Sequence, residues 1–208
     1  MQIFPRSLNL LPLVAALSVV VGGAAVTFGI WYYLSPKNLQ VGHAPEQPIP
    51  YSHKLHVGEL GLDCRYCHAN VERSYEAQVP PTQTCMGCHS VVRKDSERLL
   101  RLRDSWSSNE PVEWVRVHKV PDHVYFDHSA HLAVGVGCVS CHGRIDQMDV
   151  VRQAKPLSMG WCLECHRNPE PNLRPKDEVT NMTWARTPGE ELSLAEVNPP
   201  QNCSGCHR

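Results

Sequence analysis

The sequence lacks an excess of charge of either sign, which argues against a polyanionic partner. Its 20 lysine and arginine residues are balanced by 21 aspartate and glutamate residues, the formal net charge is −1, and no block of basic residues occurs. Proteins that bind nucleic acid through its phosphates cluster their positive charge. We therefore expect no nucleic-acid partner.

Long regular elements are also scarce outside the amino-terminal region. Seventeen prolines and 13 glycines interrupt the 208 residues, and only residues 112–117 show a weak strand-like alternation. One amphipathic helical pattern covers about 91–106. Part of the 42% apolar content lies in a membrane-length segment, which leaves little for a large core. The sequence therefore predicts mainly loops with short α-helices, held together by something other than core packing alone.

No cysteine is left over when the ten cysteines are grouped by spacing. They form five C-x-x-C-H motifs, numbered in chain order as motif 1 (64–68), motif 2 (85–89), motif 3 (138–142), motif 4 (162–166) and motif 5 (203–207). In C-x-x-C-H the thiols add to the vinyl groups of a haem, and the histidine becomes the proximal ligand of its iron. The predicted attachment residues are Cys64, Cys67, Cys85, Cys88, Cys138, Cys141, Cys162, Cys165, Cys203 and Cys206. The predicted cofactor is five haem c, with the proximal ligands His68, His89, His142, His166 and His207.

Zinc sites and disulfides are the alternatives for paired cysteines. Two C-x-x-C pairs can build a four-cysteine tetrahedral zinc site, but five pairs do not divide evenly into such sites. Disulfides stabilise proteins outside the cytoplasm. Neither alternative explains why a histidine follows every second cysteine, whereas haem attachment does.

The amino-terminal region carries a membrane-length apolar segment. No charged residue occurs between Ser7 and Pro36, and residues 10–34 are almost wholly apolar. A helix of about 20 residues crosses the roughly 30 Å hydrocarbon layer. A cleaved secretory signal is the alternative, but its apolar region would be about 7–15 residues long. This one continues into an aromatic cluster at 31–33, typical of a membrane interface. We expect a retained, single-pass transmembrane helix.

The chemistry of haem attachment sets the expected side of the membrane. The charges that flank the apolar segment give a weak signal, since Arg6 and the amino terminus are opposed by Lys37. In bacteria, haem is joined to cysteine pairs by a maturation system that works outside the cytoplasmic membrane. We therefore expect the chain from about Lys37 onward to lie on the periplasmic side of the bacterial inner membrane.

An internal duplication divides the haem-bearing part. One H-x-x-H unit (His53 and His56) precedes motifs 1 and 2, and another (His128 and His131) precedes motifs 3 and 4, at an offset of about 75 residues. The predicted domains follow this order. They are a cytoplasmic amino terminus with the anchor helix (1–36), a first dihaem module (37–110), a second dihaem module (111–168) and a proline-rich arm with motif 5 (169–208).

Each iron also needs a ligand on its distal face, and seven histidines lie outside the motifs. Two histidines three residues apart on a helical turn lie on one side of the backbone, so they cannot reach opposite faces of one porphyrin. Each H-x-x-H unit is therefore expected to serve two haems, and the predicted distal ligands are His53, His56, His128 and His131. The fifth has four candidates, in order of preference His118, Met159, His123 and His43. A methionine ligand would raise the potential of its haem.

Several segments of the chain together resemble a known family. They are residues 48–56 (PIPYSHKLH), 62–68 (LDCRYCH), 114–118 (WVRVH), 124–128 (VYFDH) and 161–166 (WCLECH). These segments resemble the pentahaem cytochrome c component of alternative complex III over nearly the whole chain, and the H-x-x-H modules also resemble class III and cytochrome c7 proteins. In that family we expect other residue types at the positions of His43 and His123.

The resemblance implies a subunit of a quinol:electron-acceptor oxidoreductase in a respiratory or photosynthetic membrane. The implied partners are polytopic quinol-binding subunits, an iron–sulfur subunit, a monohaem cytochrome c and a soluble electron acceptor. The expected function is electron relay from quinol oxidation in a partner to a periplasmic acceptor. A chain with one membrane helix offers no enclosed quinol site, so we do not expect it to be an enzyme by itself.

Two other functions stay open. The first is a quinol dehydrogenase of the tetrahaem-anchor type that serves a periplasmic reductase. The second is a multihaem reductase with an open iron site. That site needs a vacant distal face, whereas the seven spare histidines are enough to fill all five.

Overall fold

The structure is a computed structural model that describes residues 5–35, 38, 40–187 and 197–207. It divides into two compact units, Met1–Gln40 and Val41–Arg208. The division falls close to the predicted end of the anchor at residue 36. The second unit contains the three segments predicted after the anchor, apart from residues 37–40. These segments are 37–110, 111–168 and 169–208.

The first unit contains one long apolar helix. A 3-10 turn, Arg6–Leu10, leads into the α-helix Leu11–Tyr33. Pro12 lies in the first turn, where its missing N–H costs no hydrogen bond. At 1.5 Å per residue, 23 residues span about 35 Å, enough for the hydrocarbon layer. None of its residues is buried, and it is the one candidate membrane span among the described residues, which confirms the predicted apolar helix.

The second unit consists of short helices joined by loops. No α-helix in its described part is longer than nine residues. The described residues form no strand, only two isolated antiparallel bridges, Val124–His207 and Val136–Leu173. The prediction of loops with short helices is confirmed. The α-helices are Cys64–Cys67, Thr82–His89, Leu100–Ser108, His128–Ala133, Cys138–His142, Met159–Arg167 and Cys203–Cys206; Lys54–Glu59 is a π-helix; and Glu97–Leu99, Ile145–Gln147, Glu170–Asn172 and Lys176–Glu178 are 3-10 turns.

Two predicted elements differ in detail from the structure. The helix expected over about 91–106 begins later, with Glu97–Leu99 and then Leu100–Ser108, after turns at 91–95. Residues 112–117, predicted as a weak strand, form no regular element and have no strand beside them in the described part of the chain. Instead, the Gln47 side-chain amide donates to the Val115 carbonyl (2.9 Å) and accepts from its N–H (3.0 Å). A side chain thus satisfies the groups that a neighbouring strand would otherwise bind.

The apolar core of the second unit is thin. Only Val179 is fully enclosed among the described side chains. Backbone hydrogen bonds between distant segments add cohesion, from the N–H of Lys54 to the Met148 carbonyl (3.0 Å) and from that of Cys138 to Val179 (3.0 Å). A domain with so little packed apolar surface needs a further source of stability. The buried apolar residues of the described part are Ile49, Val71, Leu102, Leu132, Val136, Met148, Leu173, Val179 and Met182.

The predicted duplication is visible in the local structure. Each H-x-x-H unit lies on a short helix, with His53 directly before Lys54–Glu59 and the second unit within His128–Ala133. Motifs 1 and 3 form helices of four and five residues, whereas motifs 2 and 4 lie at the ends of helices of eight and nine residues. The two repeats therefore share the order of H-x-x-H helix, short motif helix and longer motif helix.

Candidate cofactor sites

Each motif holds its two cysteines on one side of a helical turn. Residues three apart on a helix are neighbours, so the C-x-x-C spacing directs both thiols to the same side. Side chains cap three of these helices at their amino ends and so fix where the turn begins. The capping bonds run from the backbone N–H of Arg65 to Asp63 (2.8 Å), of Trp161 to Ser158 (3.4 Å) and of Gly205 to Asn202 (3.0 Å).

The ten cysteine thiols are all free, so the cysteines do not form disulfides in this structure. No group of three or more His, Cys, Asp or Glu side chains converges on one point within the described ranges, as a zinc site would require. Each pair remains available for thioether bonds to a haem.

Six histidines are oriented by a hydrogen bond from one ring nitrogen, Nδ1, to a backbone carbonyl. Because a carbonyl only accepts, Nδ1 carries the proton and Nε2 keeps a free lone pair. This tautomer leaves Nε2 ready to bind a metal. The bonds are His68 to Gln78 (2.5 Å), His89 to Val92 (3.0 Å), His166 to Pro200 (2.7 Å), His56 to Ser52 (2.8 Å), His128 to Tyr75 (2.8 Å) and His131 to Asp127 (2.6 Å).

Three pairs of histidine rings have the separation expected for imidazoles on opposite faces of one metal. With a metal–nitrogen bond of about 2.0–2.1 Å and a ring centroid roughly 1.1 Å beyond the nitrogen, the two centroids lie about 6.3 Å apart. In each pair one ring belongs to a motif and the other to an H-x-x-H unit. The centroid distances are 6.2 Å for His56 and His89, 6.4 Å for His128 and His142, and 6.2 Å for His131 and His166.

The two remaining motif histidines also have a histidine neighbour. Burial is the main cause that lowers the pKa of His53 to about 4, and the nearby His68 adds to it. In motif 5, His207 stacks on His123 with ring centroids 5.5 Å apart and an angle of 20° between the planes. A second histidine ring therefore lies 5.5–6.4 Å from the histidine of each of motifs 2 to 5. For motif 1, the electrostatic effect of His68 on His53 indicates the pair.

The other candidates for the fifth distal position lie beside a different motif or at the surface. The ring of His118 packs edge-on against His142 of motif 3, with centroids 4.5 Å apart. Met159 begins the helix of motif 4 with 60% of its surface exposed, and His43 is exposed. Of the four candidates, His123 is the one whose ring contacts the histidine of motif 5.

An aromatic ring two residues before each H-x-x-H unit contacts both of its histidines, a feature that the sequence-based predictions missed. Tyr51 stacks on His56 (4.4 Å, 22°) and meets His53 edge-on (4.8 Å, 86°). Phe126 repeats both contacts, stacking on the second histidine (4.7 Å, 30°) and meeting the first edge-on (4.8 Å, 88°). Contacts of this kind restrict rotation of the imidazoles. The sequence feature that indicates this contact is an aromatic residue at the same position of both repeats.

Burial keeps several of these imidazoles uncharged at neutral pH. It is the main cause that lowers the pKa of His142 to about 3, and it also lowers the pKa of His118 and of His131. The uncharged imidazole is the form that binds a metal. These rings therefore need to lose no proton before they can coordinate iron.

Thiols of different motifs lie close to one another. A hydrogen bond with Cys138 of motif 3 raises the pKa of Cys64 in motif 1. Burial, followed by a motif 1 thiol, raises the pKa of Cys85 in motif 2. Burial, followed by the motif 4 thiols, raises the pKa of Cys141 to about 11. Burial, followed by a motif 5 thiol, raises the pKa of Cys162 in motif 4. The five attachment sites are thus close neighbours.

Comparisons with known proteins bear on these sites. Residues 124–208, which include motifs 3 to 5, match the family described as cytochrome c7 and related cytochrome c. The chain is also similar to a protein of Nitratidesulfovibrio vulgaris (strain Hildenborough) named menaquinone reductase, multiheme cytochrome c subunit. The two are 37% identical over 187 residues, which cover 88% of this chain and 85% of the relative.

Proposed function

Because the chain belongs to the family of multihaem cytochrome c subunits that includes the one from Nitratidesulfovibrio vulgaris, we propose that it is a five-haem electron-relay subunit of a membrane quinone oxidoreductase. Family membership supports electron transfer in a quinone-linked membrane complex. One observation carries the finer proposal: the histidine of each of motifs 2 to 5 has a second histidine ring 5.5–6.4 Å away. The electrostatic effect of His68 on His53 extends the pattern to motif 1.

Covalent attachment is assigned to the paired cysteines of all five motifs, and proximal ligation to the histidine that follows each pair. The residues present fit a haem, since each motif carries two thiols on one side of a turn. The oriented Nε2 atoms and the thin apolar core fit it as well. When bound, haem supplies one-electron redox chemistry. The protein's part would be to hold each iron through the histidine of a motif and a second histidine.

The H-x-x-H histidines are assigned as distal ligands for motifs 1 to 4. In both repeats the first histidine pairs with the first motif and the second histidine with the second motif. Each unit therefore serves two haems, as its three-residue spacing predicts. The assigned pairs are His53 with His68, His56 with His89, His128 with His142 and His131 with His166.

His123, rather than His118, is assigned as the distal ligand for motif 5. Its ring lies 5.5 Å from that of His207, within about 1 Å of the separation expected for two axial ligands. The backbone beside it is tied to the same motif, because Val124 and His207 form an antiparallel bridge. The carbonyl of Cys206 also accepts a hydrogen bond from the N–H of Tyr125 at 2.7 Å.

The contacts between motifs support a single row of haem sites, in the order motif 2, motif 1, motif 3, motif 4 and motif 5. Motifs 1 and 2 share one H-x-x-H unit, and motifs 3 and 4 share the other. The two halves meet where the Thr180 hydroxyl donates to Asp63, the cap of motif 1 (2.8 Å), and the Val179 carbonyl accepts from the N–H of Cys138 in motif 3 (3.0 Å). Pro200, three residues before motif 5, accepts from the motif 4 histidine (2.7 Å). A single row suits a relay with one entry and one exit.

The helix Leu11–Tyr33 is assigned as a membrane anchor, and residues 41–208 are assigned to the periplasmic side of the inner membrane. The length and apolar surface of the helix support the anchor. The attachment of haem outside the cytoplasmic membrane of bacteria supports the side. The relative's name, which places it in a quinone-reducing enzyme, supports a membrane location.

Quinone chemistry is assigned to a partner chain, because one membrane helix encloses no quinone site. The resemblance to the pentahaem component of alternative complex III supports quinol oxidation, with polytopic quinol-binding subunits, an iron–sulfur protein and a monohaem cytochrome c as partners. Purification in mild detergent followed by mass spectrometry is expected to recover such subunits. The complex should reduce a soluble acceptor with quinol, whereas the isolated chain should not. Quinol oxidation by the isolated chain would contradict this division of roles.

The name of the relative favours a second candidate, in which the same relay carries electrons toward the quinone. That protein is named as a subunit of a menaquinone reductase. The purified complex can be assayed in both directions, with menaquinol plus an oxidised acceptor and with a menaquinone analogue plus a reduced soluble cytochrome. Faster quinone reduction would select the second candidate, and faster quinol oxidation the first.

A further inference from the structure

One half-buried histidine of the second unit is not used by the five pairs. His118 lies edge-on against His142, the histidine of motif 3, with ring centroids 4.5 Å apart and 79° between the planes. This distance is too short for two ligands on opposite faces of one metal, which need about 6.3 Å. His128 already stands 6.4 Å from His142 with its ring nearly parallel. His118 therefore contacts the motif 3 site without completing it.

Each of the two rings has one buried nitrogen atom without a hydrogen-bond partner among the described residues. One is Nδ1 of His142 and the other is Nε2 of His118. Motifs 1, 2 and 4 differ, because their histidines donate from Nδ1 to a backbone carbonyl. The two unpaired atoms have complementary roles. An imidazole bound to iron through Nε2 carries its proton on Nδ1, and a neutral imidazole offers one lone pair.

We propose that His118 accepts a hydrogen bond from Nδ1 of His142 and thereby lowers the redox potential of the haem at motif 3. The inference rests on the proposed function, since it takes His142 to be an iron ligand. A hydrogen bond of about 2.9 Å between two imidazole nitrogens puts the ring centroids about 5 Å apart. The observed 4.5 Å is shorter than this, so the bond requires the two rings to turn and to move slightly apart. The acceptor increases the basicity of the iron-bound ring and so stabilises the ferric state.

The segment that carries His118 is fixed by contacts of its own. Gln47 binds both backbone groups of Val115 at 2.9 and 3.0 Å. The Arg116 guanidinium forms an ion pair with Glu76 at 2.7 Å. None of these bonds is made by an assigned axial ligand, so a change at His118 is expected to leave those ligands in place. His118 is thus a positioning residue for His142.

The test uses the full-length, haem-loaded protein and two variants. His118→Phe removes the acceptor and keeps a ring of similar shape, whereas His118→Gln keeps an acceptor oxygen. Spectroelectrochemical titration of His118→Phe is expected to show an upward shift of one of the five midpoint potentials with the other four unchanged. His118→Gln should reverse most of that shift. Electron paramagnetic resonance should show every haem low-spin in both variants.

Three results would overturn the inference. Unchanged potentials in His118→Phe would mean that the bond does not form. A new high-spin signal, or carbon monoxide binding that the wild type lacks, would make His118 an iron ligand itself. Loss of haem from motif 3 alone, detected by peptide mass, would give His118 a structural role in maturation. Absence of covalent haem from the wild type would instead refute the proposed function, so the two failures are distinguishable.

Discussion

At the scale of single residues, the histidines differ in what holds the ring nitrogen that faces away from the proposed iron. Most of the assigned ligands donate from Nδ1 to a backbone carbonyl, such as His89 to Val92 within its own motif region. His166 instead reaches Pro200 in the arm that leads to motif 5. A backbone carbonyl cannot be removed by substitution, which makes these orientations robust. The ligand itself can be removed, and the consequences are specific to one site.

Replacing His56 should open one iron to external ligands. In His56→Ala the ring that faces His89 is gone, while Cys85 and Cys88 remain to hold the haem. We expect five covalent haems and one new carbon monoxide site per chain in the reduced protein, measured by optical titration. His43→Ala is the matched control, because His43 is exposed and outside the five assigned pairs, and it should bind no carbon monoxide. Equal behaviour of the two variants would remove His56 from the ligands.

The fifth distal position separates the two histidines His118 and His123. His123→Ala should create a carbon monoxide site, because His207 would lose the ring stacked on it at 5.5 Å. His118→Ala should create none, since that ring lies against His142 instead. The same optical titration measures both variants. A carbon monoxide site in His118→Ala alone would favour His118, the fifth distal ligand preferred from the sequence.

At the scale of elements, each H-x-x-H helix is built with the same cap and the same aromatic contact. Ser52 and Asp127 occupy equivalent positions before the first histidine, and their side chains accept from the N–H groups of Leu55 (3.1 Å) and Ser129 (2.8 Å). Their carbonyls accept from Nδ1 of the second histidine at 2.8 and 2.6 Å. One residue therefore caps the helix and orients an assigned ligand.

The aromatic contact should stabilise each unit measurably. Phe126→Leu removes one stacked and one edge-on ring contact with the histidines of its helix. Each aromatic contact contributes about 0.5–1.5 kcal/mol, so the free energy of unfolding should fall by about 1–3 kcal/mol. Chemical denaturation of the haem-loaded protein, followed by circular dichroism, measures the change. Phe126→Tyr keeps the ring and should stay close to the wild type. Similar losses in both variants would rule out the ring contacts as the cause.

The cap of motif 1 should make stability depend on pH in the acid range. A hydrogen bond from the Arg65 side chain is the main cause that lowers the pKa of Asp63 to about 2. Because this folded-state pKa lies below the ordinary value of 3.8, the stabilisation is fully present above pH about 4 and is lost as the pH falls toward 2. The side chain is 42% exposed, so solvent weakens the effect.

Asp63→Asn keeps a capping oxygen but removes the titration. Acid unfolding of the variant, followed by circular dichroism between pH 5 and about 2, should therefore depend less steeply on pH than that of the wild type. Asp95→Asn, at an exposed position outside the motifs, serves as control and should keep the wild-type profile. An unchanged slope in Asp63→Asn would show that this carboxylate does not contribute.

The repeated elements could be predicted from the sequence to different degrees. The H-x-x-H spacing predicts, from helix geometry, that each unit serves two haems. In the structure the two histidines of the second unit lie near the histidines of two different motifs, as this prediction requires. The state of residues 112–117 was not predictable, since it depends on Gln47, which is 68 residues from Val115 in the chain. The place of His123 was likewise hidden, because the bridge between Val124 and His207 brings it to motif 5. Local patterns therefore predict elements and sites, but not which distant segments meet.

At the scale of the whole molecule, the proposed cofactors take the place of a larger core. The described part of the second unit buries nine apolar side chains and has no strand, yet it brings five cysteine pairs and their histidines close together. Porphyrin faces buried among the loops would supply the missing apolar contact area. On this proposal the fold, the histidine pairs and the relay would all depend on those cofactors.

The decisive quantity is the number of covalent haems on the purified full-length chain. Intact mass spectrometry combined with the alkaline pyridine haemochrome assay gives this number without reference to activity. We expect a mass increase of five haem groups and a c-type spectrum equivalent to five haems per chain. A colourless chain with the mass of the bare polypeptide would contradict the five-haem relay.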